Sequence, residues 1–351
     1  MLTINELNID GWEKVFHAVD DASGLDSYIG IHNTKLGPAL GGLRHWCYDK
    51  TEDALTDVLR LSEGMTYKNA LSGIPYGGGK AVINGKKTNE KLKSFAKFVN
   101  EVWEMGGRYF TAEDVGTNVD DMFFLGEHTN YLFQPGLGEP SPATALGVFK
   151  AMQAALKFDS VVKGKDQDFF GMRNRSDITV AIQGLGAVGY NLAGLCHLSG
   201  FKLTVADINK DACDRAASEF GAQVVSVDDI LYTDATITAP CALGAILNQD
   251  SIPQMNPNTI ICGSANNQLQ DMKTDGELIK NRKMIYVPDF IANAGGVINV
   301  SRESGTVPTD FHVALELDLI YHNTSQCLIA SKMNKMSSAE VALIMAKDLI
   351  S

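Results

Sequence analysis

Two lysines stand close together in the first quarter of the chain, each at the end of a short motif. Lys68 closes Gly64-Met65-Thr66-Tyr67-Lys68, and Lys80 closes Pro75-Tyr76-Gly77-Gly78-Gly79-Lys80. Helical spacings of three and four residues put Gly64, Met65 and Lys68 on one face, so an ammonium group is carried among apolar neighbours. The glycine run before Lys80 is similar to a phosphate-binding loop. That loop, however, needs glycine where Ile74 stands and serine or threonine where Ala81 stands, so nucleotide hydrolysis is not expected. Two ammonium groups in a dry cleft repel, and both burial and repulsion lower a lysine pKa. One of the pair could then serve as a general base while the other stays charged and holds a carboxylate. The alternative for each is a solvated surface lysine. Asp114, in Thr111-Ala112-Glu113-Asp114-Val115-Gly116-Thr117, follows the aromatic pair Tyr109-Phe110 at an expected strand end before a helix. It reads equally as a helix-capping aspartate and as a carboxylate that handles protons.

A third motif lies near the middle. Gly184-Leu185-Gly186-Ala187-Val188-Gly189 follows the apolar run Ile178 to Gln183 and opens the helical pattern Tyr190 to Leu198. Gly184 permits a tight turn, Gly186 lets backbone approach a pyrophosphate, and Gly189 allows close helix packing. The N–H groups of Ala187 and Val188, at the helix N-terminus, face the anion. The next apolar run, Leu203 to Ala206, ends at Asp207, 23 residues after Gly184, near the ~20 expected for the carboxylate that binds the adenosine ribose. A carboxylate there accepts the ribose hydroxyls and repels a 2′-phosphate, which favours NAD over NADP.

These residues need a scaffold of alternating strands and helices. Upstream of residue 140, Ser27 to His32, Ala81 to Asn84 and Arg108 to Thr111 read as strands and Glu52 to Leu71 as an amphipathic helix. Downstream, apolar runs recur at Ile178–Gln183, Leu203–Ala206, Gln223–Val227, Ala235–Ala239, Thr259–Cys262 and Met284–Val287. Six strands in two groups of three suit a doubly wound dinucleotide-binding sheet. The polar stretch Lys163 to Ser176 reads as a loop entering the first of them. With 351 residues the chain is long enough for about two domains.

Composition removes other classes. Lysine plus arginine number 30 against 42 acidic residues, a net charge of −12, which disfavours a nucleic-acid partner. The six cysteines lack C-x-x-C pairing and do not cluster with histidine, so no metal is expected and they read as buried small hydrophobes. No apolar stretch is long enough to span a membrane, and the N-terminus lacks the features of a leader. A cytoplasmic protein is expected.

Taken in order, Gly37-Pro38-Ala39-Leu40-Gly41-Gly42, Lys68, Gly77-Gly78-Gly79-Lys80, Thr111 to Thr117, the glycine fingerprint, Pro240-Cys241-Ala242-Leu243-Gly244, Gly263-Ser264-Ala265-Asn266-Asn267-Gln268-Leu269, Pro288-Asp289-Phe290 and Asn293 to Val300 resemble the glutamate/leucine/phenylalanine/valine dehydrogenase family, and within it most of all the leucine and valine branch. Leu43 after Gly42 and Gly136-Leu137-Gly138-Glu139 before Pro140 depart from the family pattern.

The resemblance implies a two-domain α/β fold. A substrate-binding and oligomerisation domain would span residues 1–138 with a C-terminal helix, 330–351, returning to it, and a Rossmann NAD-binding domain would span 139–329. It also implies reversible oxidative deamination of an L-amino acid to a 2-oxo acid and ammonia, and a homo-oligomer. By resemblance Lys68 binds the substrate carboxylate, Lys80 activates water, Asp114 shuttles protons and Asn267 holds the amino group. Thr144 and Asn266 would lie against the nicotinamide and its ribose. Leu40, Gly41, Met65, Ala112, Val297 and Val300 would line a side-chain pocket with no charge, suited to leucine, isoleucine and valine. An aromatic amino acid is the second substrate expectation. A redox sensor that only binds NAD would leave Lys68, Lys80 and Asp114 without a role. A 2-hydroxy-acid dehydrogenase would need a histidine base in a motif that this chain lacks.

Overall fold

The computed structural model describes residues 1–133, 139–164, 175–302 and 310–351. The departure at 136–138 and most of the polar stretch 163–176 lie outside them. Internal contacts divide the chain into two units: Met1–Gly138 with Val300–Pro308 and Leu349–Ser351, and Glu139–Asn299 with Thr309–Asp348.

The first unit holds a six-stranded sheet of β1 (Thr3–Leu7), β2 (Lys14–Asp20), β3 (Leu25–Asn33), β4 (Ala39–Trp46), β5 (Gly77–Asn84) and β6 (Tyr109–Glu113), with α1 (Thr51–Leu71), α2 (Asn89–Glu104) and α3 (Val119–Gly126). The spatial order is β1-β2-β3-β5-β4-β6. The pairs β1–β2, β2–β3 and β3–β5 are antiparallel, while β4 lies parallel to both β5 and β6. The expected strands at 27–32, 81–84 and 108–111 fall on β3, β5 and β6. β1, β2 and β4 were not anticipated, β4 because its central Gly41-Gly42 interrupts apolar alternation.

Alternation along the strands sorts the sheet's two faces. On β3 to β6 the odd-numbered residues, among them Ile29, Ile31, Ala39, Leu43, Ala81, Ile83 and Tyr109, and on β2 the even-numbered Phe16 and Ala18, enter the core shared with Phe95, Phe98 and Val102 of α2. The opposite face meets α1, where Tyr28 and Val82 pack on Ala54 and Val58. α2 starts at Thr88, whose side chain accepts the Lys91 N–H, satisfying one of the donors a helix N-terminus leaves open.

The second unit contains β7 (Thr179–Gln183), β8 (Lys202–Ala206), β9 (Gln223–Val224), β10 (Ile237–Pro240), β11 (Ile260–Ile261) and β12 (Ile285–Tyr286) in the order β12-β11-β10-β7-β8-β9. Every pair is parallel. The six apolar runs thus form a doubly wound sheet that reverses direction between β7 and β10, the place where such sheets bind ligands. Its helices are α4 (Ser141–Val162), α5 (Ala187–Leu198), α6 (Lys210–Phe220), α7 (Met272–Asn281), α8 (Asp289–Ala292), α9 (Gly295–Ser301), α10 (Asp310–Asn334) and α11 (Ser338–Leu349).

The C-terminal segment differs from expectation, because α10 and most of α11 count with the second unit and only Leu349–Ser351 with the first. The cause is local packing: Ala339 enters the core formed by Ile261, Ile279 and Tyr286, and the Ser338 hydroxyl donates to the Tyr286 carbonyl at 2.7 Å. Cys196, Cys213, Cys262 and Cys327 are buried as expected, whereas Cys47 is exposed and Cys241 only half-buried. Among the described residues no helix is long and apolar enough to cross a membrane.

Candidate active site

Lys80 and Asp114 sit on different strands, β5 and the end of β6, with β4 between them. The registers Leu40↔Gly78 and Leu43↔Ala81 on one side and Gly42↔Ala112 on the other put Gly42 level with Lys80 and Ala112. A side chain at position 42 would fill the space across which the two reach: a Cβ there would lie 2.6 Å from the Asp114 Cβ and 2.7 Å from the Glu113 carbonyl oxygen. With glycine in that place, Lys80 Nζ meets Asp114 Oδ1 at 2.8 Å. The Lys80 side chain is 4% exposed and that of Asp114 17%.

Burial pushes the Lys80 pKa down; Asp114 opposes this and the Arg44 guanidinium adds to it. Burial alone would raise Asp114, but Lys80 and Arg44 together hold its carboxyl down at about 2. The pair is therefore a carboxylate beside an amine whose proton is loosened by desolvation. Asp114 does not cap α3. That role belongs to Asn118, which forms a reciprocal capping box with Asp121, while the Asp114 backbone takes part in a local turn with the Thr117 hydroxyl.

Lys68 is half-buried, one turn from the end of α1. The helix is drawn onto β5 at Gly78, where a Cβ would come within 2.0 Å of Thr66 Oγ1. Asn69 anchors the same turn by donating to the carbonyls of Leu40 and Gly77 at 3.1 and 2.6 Å. Gly78 thus docks the helix, while Gly77 gives room to the Asn33 and Gly37 carbonyls and Gly79 to the Tyr109 ring; the three glycines belong to a packed strand, not to a phosphate loop. Leu40, Gly41 and Ala112 are buried and Met65 is half-buried.

Sequence reasoning missed the groups behind Asp114. Arg44 Nε reaches Asp114 Oδ2 at 3.3 Å, Arg44 Nη1 reaches Asp57 Oδ2 at 2.9 Å, and the Tyr48 hydroxyl donates to Asp57 at 2.5 Å. Arg44 lies two residues beyond Gly42, on the same face of β4, but nothing in its local pattern names its partners.

In the second unit the fingerprint glycines divide their tasks. Gly184 has φ 96°, open to glycine but strained for other residues. A Cβ at Gly189 would lie 2.0 Å from the Gly184 carbonyl oxygen, so this glycine lets α5 close onto the turn; at Gly186 nothing lies within 4 Å. Gly186 begins α5 without a side-chain cap. Open space in front of uncapped N–H groups at Ala187 and Val188 fits a pyrophosphate. Asp207 ends β8 beside this loop, accepting the Leu185 N–H at 2.5 Å and the Asn209 N–H at 2.7 Å, which fixes its carboxylate next to the glycines. The residues present therefore fit a dinucleotide.

Asn267 has φ 51°, a left-handed conformation that asparagine tolerates better than most residues. It is held by donation of its N–H to Asp289 Oδ2 at 2.6 Å. The Asn293 amide donates to Asn266 Oδ1 at 2.8 Å and to the Ser264 carbonyl at 3.0 Å. Thr144 in α4 meets the start of α9, where a Cβ on Gly296 would lie 2.7 Å from its Oγ1; the α9 residues Val297 and Val300 are half-buried. Asp289 and Asn293 had been seen only as parts of motifs, and their supporting role depends on contacts 22 and 27 residues away.

A cavity of about 470 Å³ lies at the opposite edge of the second sheet, with Lys163, Lys280, Lys283, Lys332 and Lys335 in its wall. These lysines stand at the C-terminal ends of α4, α7 and α10, where cations offset helix dipoles, and they carry no chemistry that the motifs require.

The chain is similar to known proteins over most of its length. A family model described as the Glu/Leu/Phe/Val dehydrogenase dimerisation domain matches residues 13–131, and one described as Glutamate/Leucine/Phenylalanine/Valine dehydrogenase matches residues 204–312. Leucine dehydrogenase of Bacillus cereus is 45% identical over 83% of this chain and 78% of its own length. Leucine dehydrogenase of Geobacillus stearothermophilus is 41% identical over 97% and 90%. The crystal structure of L-tryptophan dehydrogenase from Nostoc punctiforme superposes with a TM-score of 0.79 at 36% identity, covering 97% of this chain and 96% of that one. With both halves matched and the motifs assembled as described, the chain belongs to the glutamate/leucine/phenylalanine/valine dehydrogenase family of amino acid dehydrogenases.

Proposed function

We propose that this enzyme catalyses the reversible, NAD-dependent oxidative deamination of branched-chain aliphatic L-amino acids to 2-oxo acids and ammonia. The observation that carries the reading is the buried Lys80–Asp114 pair at 2.8 Å. When bound, NAD supplies the acceptor for the hydride leaving the substrate Cα. Lys68 holds the substrate carboxylate as a fixed cation. Once the imino acid has formed, Lys80 takes a proton from the water that attacks its carbon, a role that needs the amine neutral near working pH and is favoured by its burial. Asp114, on the same ammonium, relays that proton toward the departing amine, so that ammonia leaves as the 2-oxo acid forms. Asn267, its backbone held by Asp289, holds the amino group. Thr144 and Asn266 would hold the nicotinamide and its ribose, and Asp207 would select NAD over NADP by accepting the ribose hydroxyls.

Leu40, Gly41, Met65, Ala112, Val297 and Val300 offer the substrate side chain no charge. Glutamate is disfavoured because its second carboxylate would lose water and gain no partner. The aliphatic reading is supported by the leucine dehydrogenases at 41% and 45% identity. An aromatic substrate is the second reading, supported by the Nostoc structure at 36%. We place the enzyme in the cytoplasm as a homo-oligomer, for which the description of the first family model as a dimerisation domain is the support. The test follows NADH absorbance with leucine, isoleucine, valine, phenylalanine, tryptophan and glutamate, with either cofactor. A kcat/KM highest for the aliphatic trio with NAD is expected. A clear preference for an aromatic amino acid or glutamate would overturn the substrate, and equal rates with NADP would overturn the cofactor.

A further inference from the structure

Arg44 is half-buried on β4, between Asp57 of α1 and Asp114 at the end of β6, and joined to both. The Tyr48 hydroxyl, from the turn after β4, closes the far side by donating to Asp57. Lys80 occupies the other oxygen of Asp114. One carboxylate is thus shared by two cations of different kinds. Arginine keeps its proton at any working pH, whereas Lys80 has to release one.

We propose that Arg44 is a positioning residue for the base: by holding one oxygen of Asp114, while Asp57 and Tyr48 hold the guanidinium in turn, it sets both the direction of the Asp114 carboxylate and how tightly that carboxylate retains the proton of Lys80. The proposal rests on Lys80 being the base.

Three features of the arrangement support it. First, a carboxylate bound only to Lys80 would stabilise the ammonium form and oppose base chemistry. A second cation draws off part of that charge and also repels the Lys80 proton directly, so burial keeps the upper hand at Lys80. Second, Arg44 is not a bystander satisfied elsewhere, because its Nε and Nη1 are each directed at a separate carboxylate. The Asp57 contact thus fixes where the guanidinium stands, and with Lys80 on one oxygen of Asp114 and Arg44 Nε on the other, the plane of that carboxylate is set from both sides. Third, Asp57 lets a cation be placed this close to Lys80 without a large uncompensated charge. The groups facing Arg44 from the elements packed on it are Asp57 from α1, Tyr48 from the turn and Asp114 from β6, with Lys80 beyond on β5. Tyr48 stays a neutral phenol, because burial and the adjoining Asp57 push its pKa up.

The sign of the consequence follows. Lys80 must be neutral to act, so the acid limb of the deamination pH profile tracks its pKa. Removing Arg44 removes a repelling cation and leaves Asp114 wholly to Lys80, so that limb moves to higher pH. Removing the charge of Asp57 takes away an anion and leaves the Arg44 charge less compensated, so the limb moves to lower pH.

The test is kcat/KM for leucine against pH in the full-length enzyme and in Arg44→Met, Arg44→Lys and Asp57→Asn, with folding checked by thermal melting. Substrate ionisation is common to all four, so differences between limbs belong to the protein. We expect Arg44→Met to raise the limb by on the order of one pH unit and Asp57→Asn, which keeps the hydrogen-bonding shape, to lower it. Arg44→Lys should keep the limb near that of the parent while kcat falls at least about tenfold from the lost fork. Limbs that stay put in both Arg44→Met and Asp57→Asn, or that move the same way, would overturn the proposal; if Arg44→Met does not fold, Asp57→Asn alone decides. A Lys80→Ala enzyme that kept its activity would instead sink the assignment of the base itself.

Discussion

Replacing Gly42 with alanine tests the site's construction more sharply than removing any reactive group, because it leaves every reactive group in place. The new methyl would lie 2.6 Å from the Asp114 Cβ and 2.7 Å from the Glu113 carbonyl oxygen, while ordinary contact begins near 3.4 Å, so the end of β6 must retreat by about 0.8 Å. β6 is able to yield, since it is the edge strand of the sheet, paired with β4 on one side and on the other joined to the loop at Leu132 by a bridge at Thr111. The fold should survive at the usual cost of overpacking, about 1–3 kcal/mol. The chemistry should not survive intact, because Asp114 starts 2.8 Å from Lys80 and a retreat of that size carries it out of hydrogen-bond range. A misplacement of about 1 Å at a reacting centre costs on the order of 10²-fold, which is the loss of kcat expected for Gly42→Ala. Urea denaturation measures the stability term, and initial rates with leucine at saturating cofactor measure the catalytic one. Gly41→Ala provides the contrast: its Cβ would lie 1.7 Å from the Gly79 backbone oxygen, between two interior strands that cannot retreat, so little folded protein should accumulate. A folded Gly42→Ala enzyme with the parent's kcat would refute the claim that Lys80 and Asp114 act through direct contact across this glycine.

Other substitutions should separate the remaining roles. Lys68→Ala should act mainly on KM for the amino acid, whereas Lys80→Ala should lower kcat by about 10²–10⁴-fold; steady-state kinetics distinguish the two, and similar KM effects from both would contradict the assignment. Asp207→Ala should narrow the preference for NAD over NADP, and it should also weaken binding of both cofactors somewhat, since the Leu185 and Asn209 N–H groups lose their acceptor; unchanged KM values for the two cofactors would count against it. Ala112→Gly enlarges the proposed side-chain pocket by one methyl, so kcat/KM for the bulkier phenylalanine relative to leucine should rise, at a stability cost of about 0.5–1 kcal/mol for glycine within a strand; an unchanged ratio would remove Ala112 from the pocket.

Local features were legible wherever the chemistry depends on neighbours in sequence. The turn and open front of the glycine fingerprint need residues within six positions of each other, and the α1 pattern needs only the helical repeat. Asp207 is found by counting, because one strand and one helix separate it from the fingerprint. The parallel strands of the second sheet could likewise be read as apolar runs, since its interior strands β7, β10 and β11 are buried on both faces and have little room for polar residues. β1 and β2 were not legible this way: they form an antiparallel edge whose alternation is broken by half-buried polar residues such as His17.

What the sequence left even, the tertiary structure decided. Asp114 read equally as a cap and as a carboxylate for chemistry until the strand order β5-β4-β6 set it opposite Lys80 and gave the cap to Asn118. Arg44, Asp57 and Tyr48 carried no local signal, because an ion pair between strands or between a strand and a helix depends on register, and register is set by the whole sheet. Gly42 shows the same division: its identity is plain in the chain, but its reason, the gap that two side chains from non-adjacent strands must cross, exists only after folding. The C-terminal helices carry the lesson to the scale of domains. A C-terminal helix is implied by the resemblance alone, but which surface α11 covers was decided by small residues such as Ala339 fitting against Ile261 and Tyr286, a complementarity of shape that no one-dimensional pattern contains.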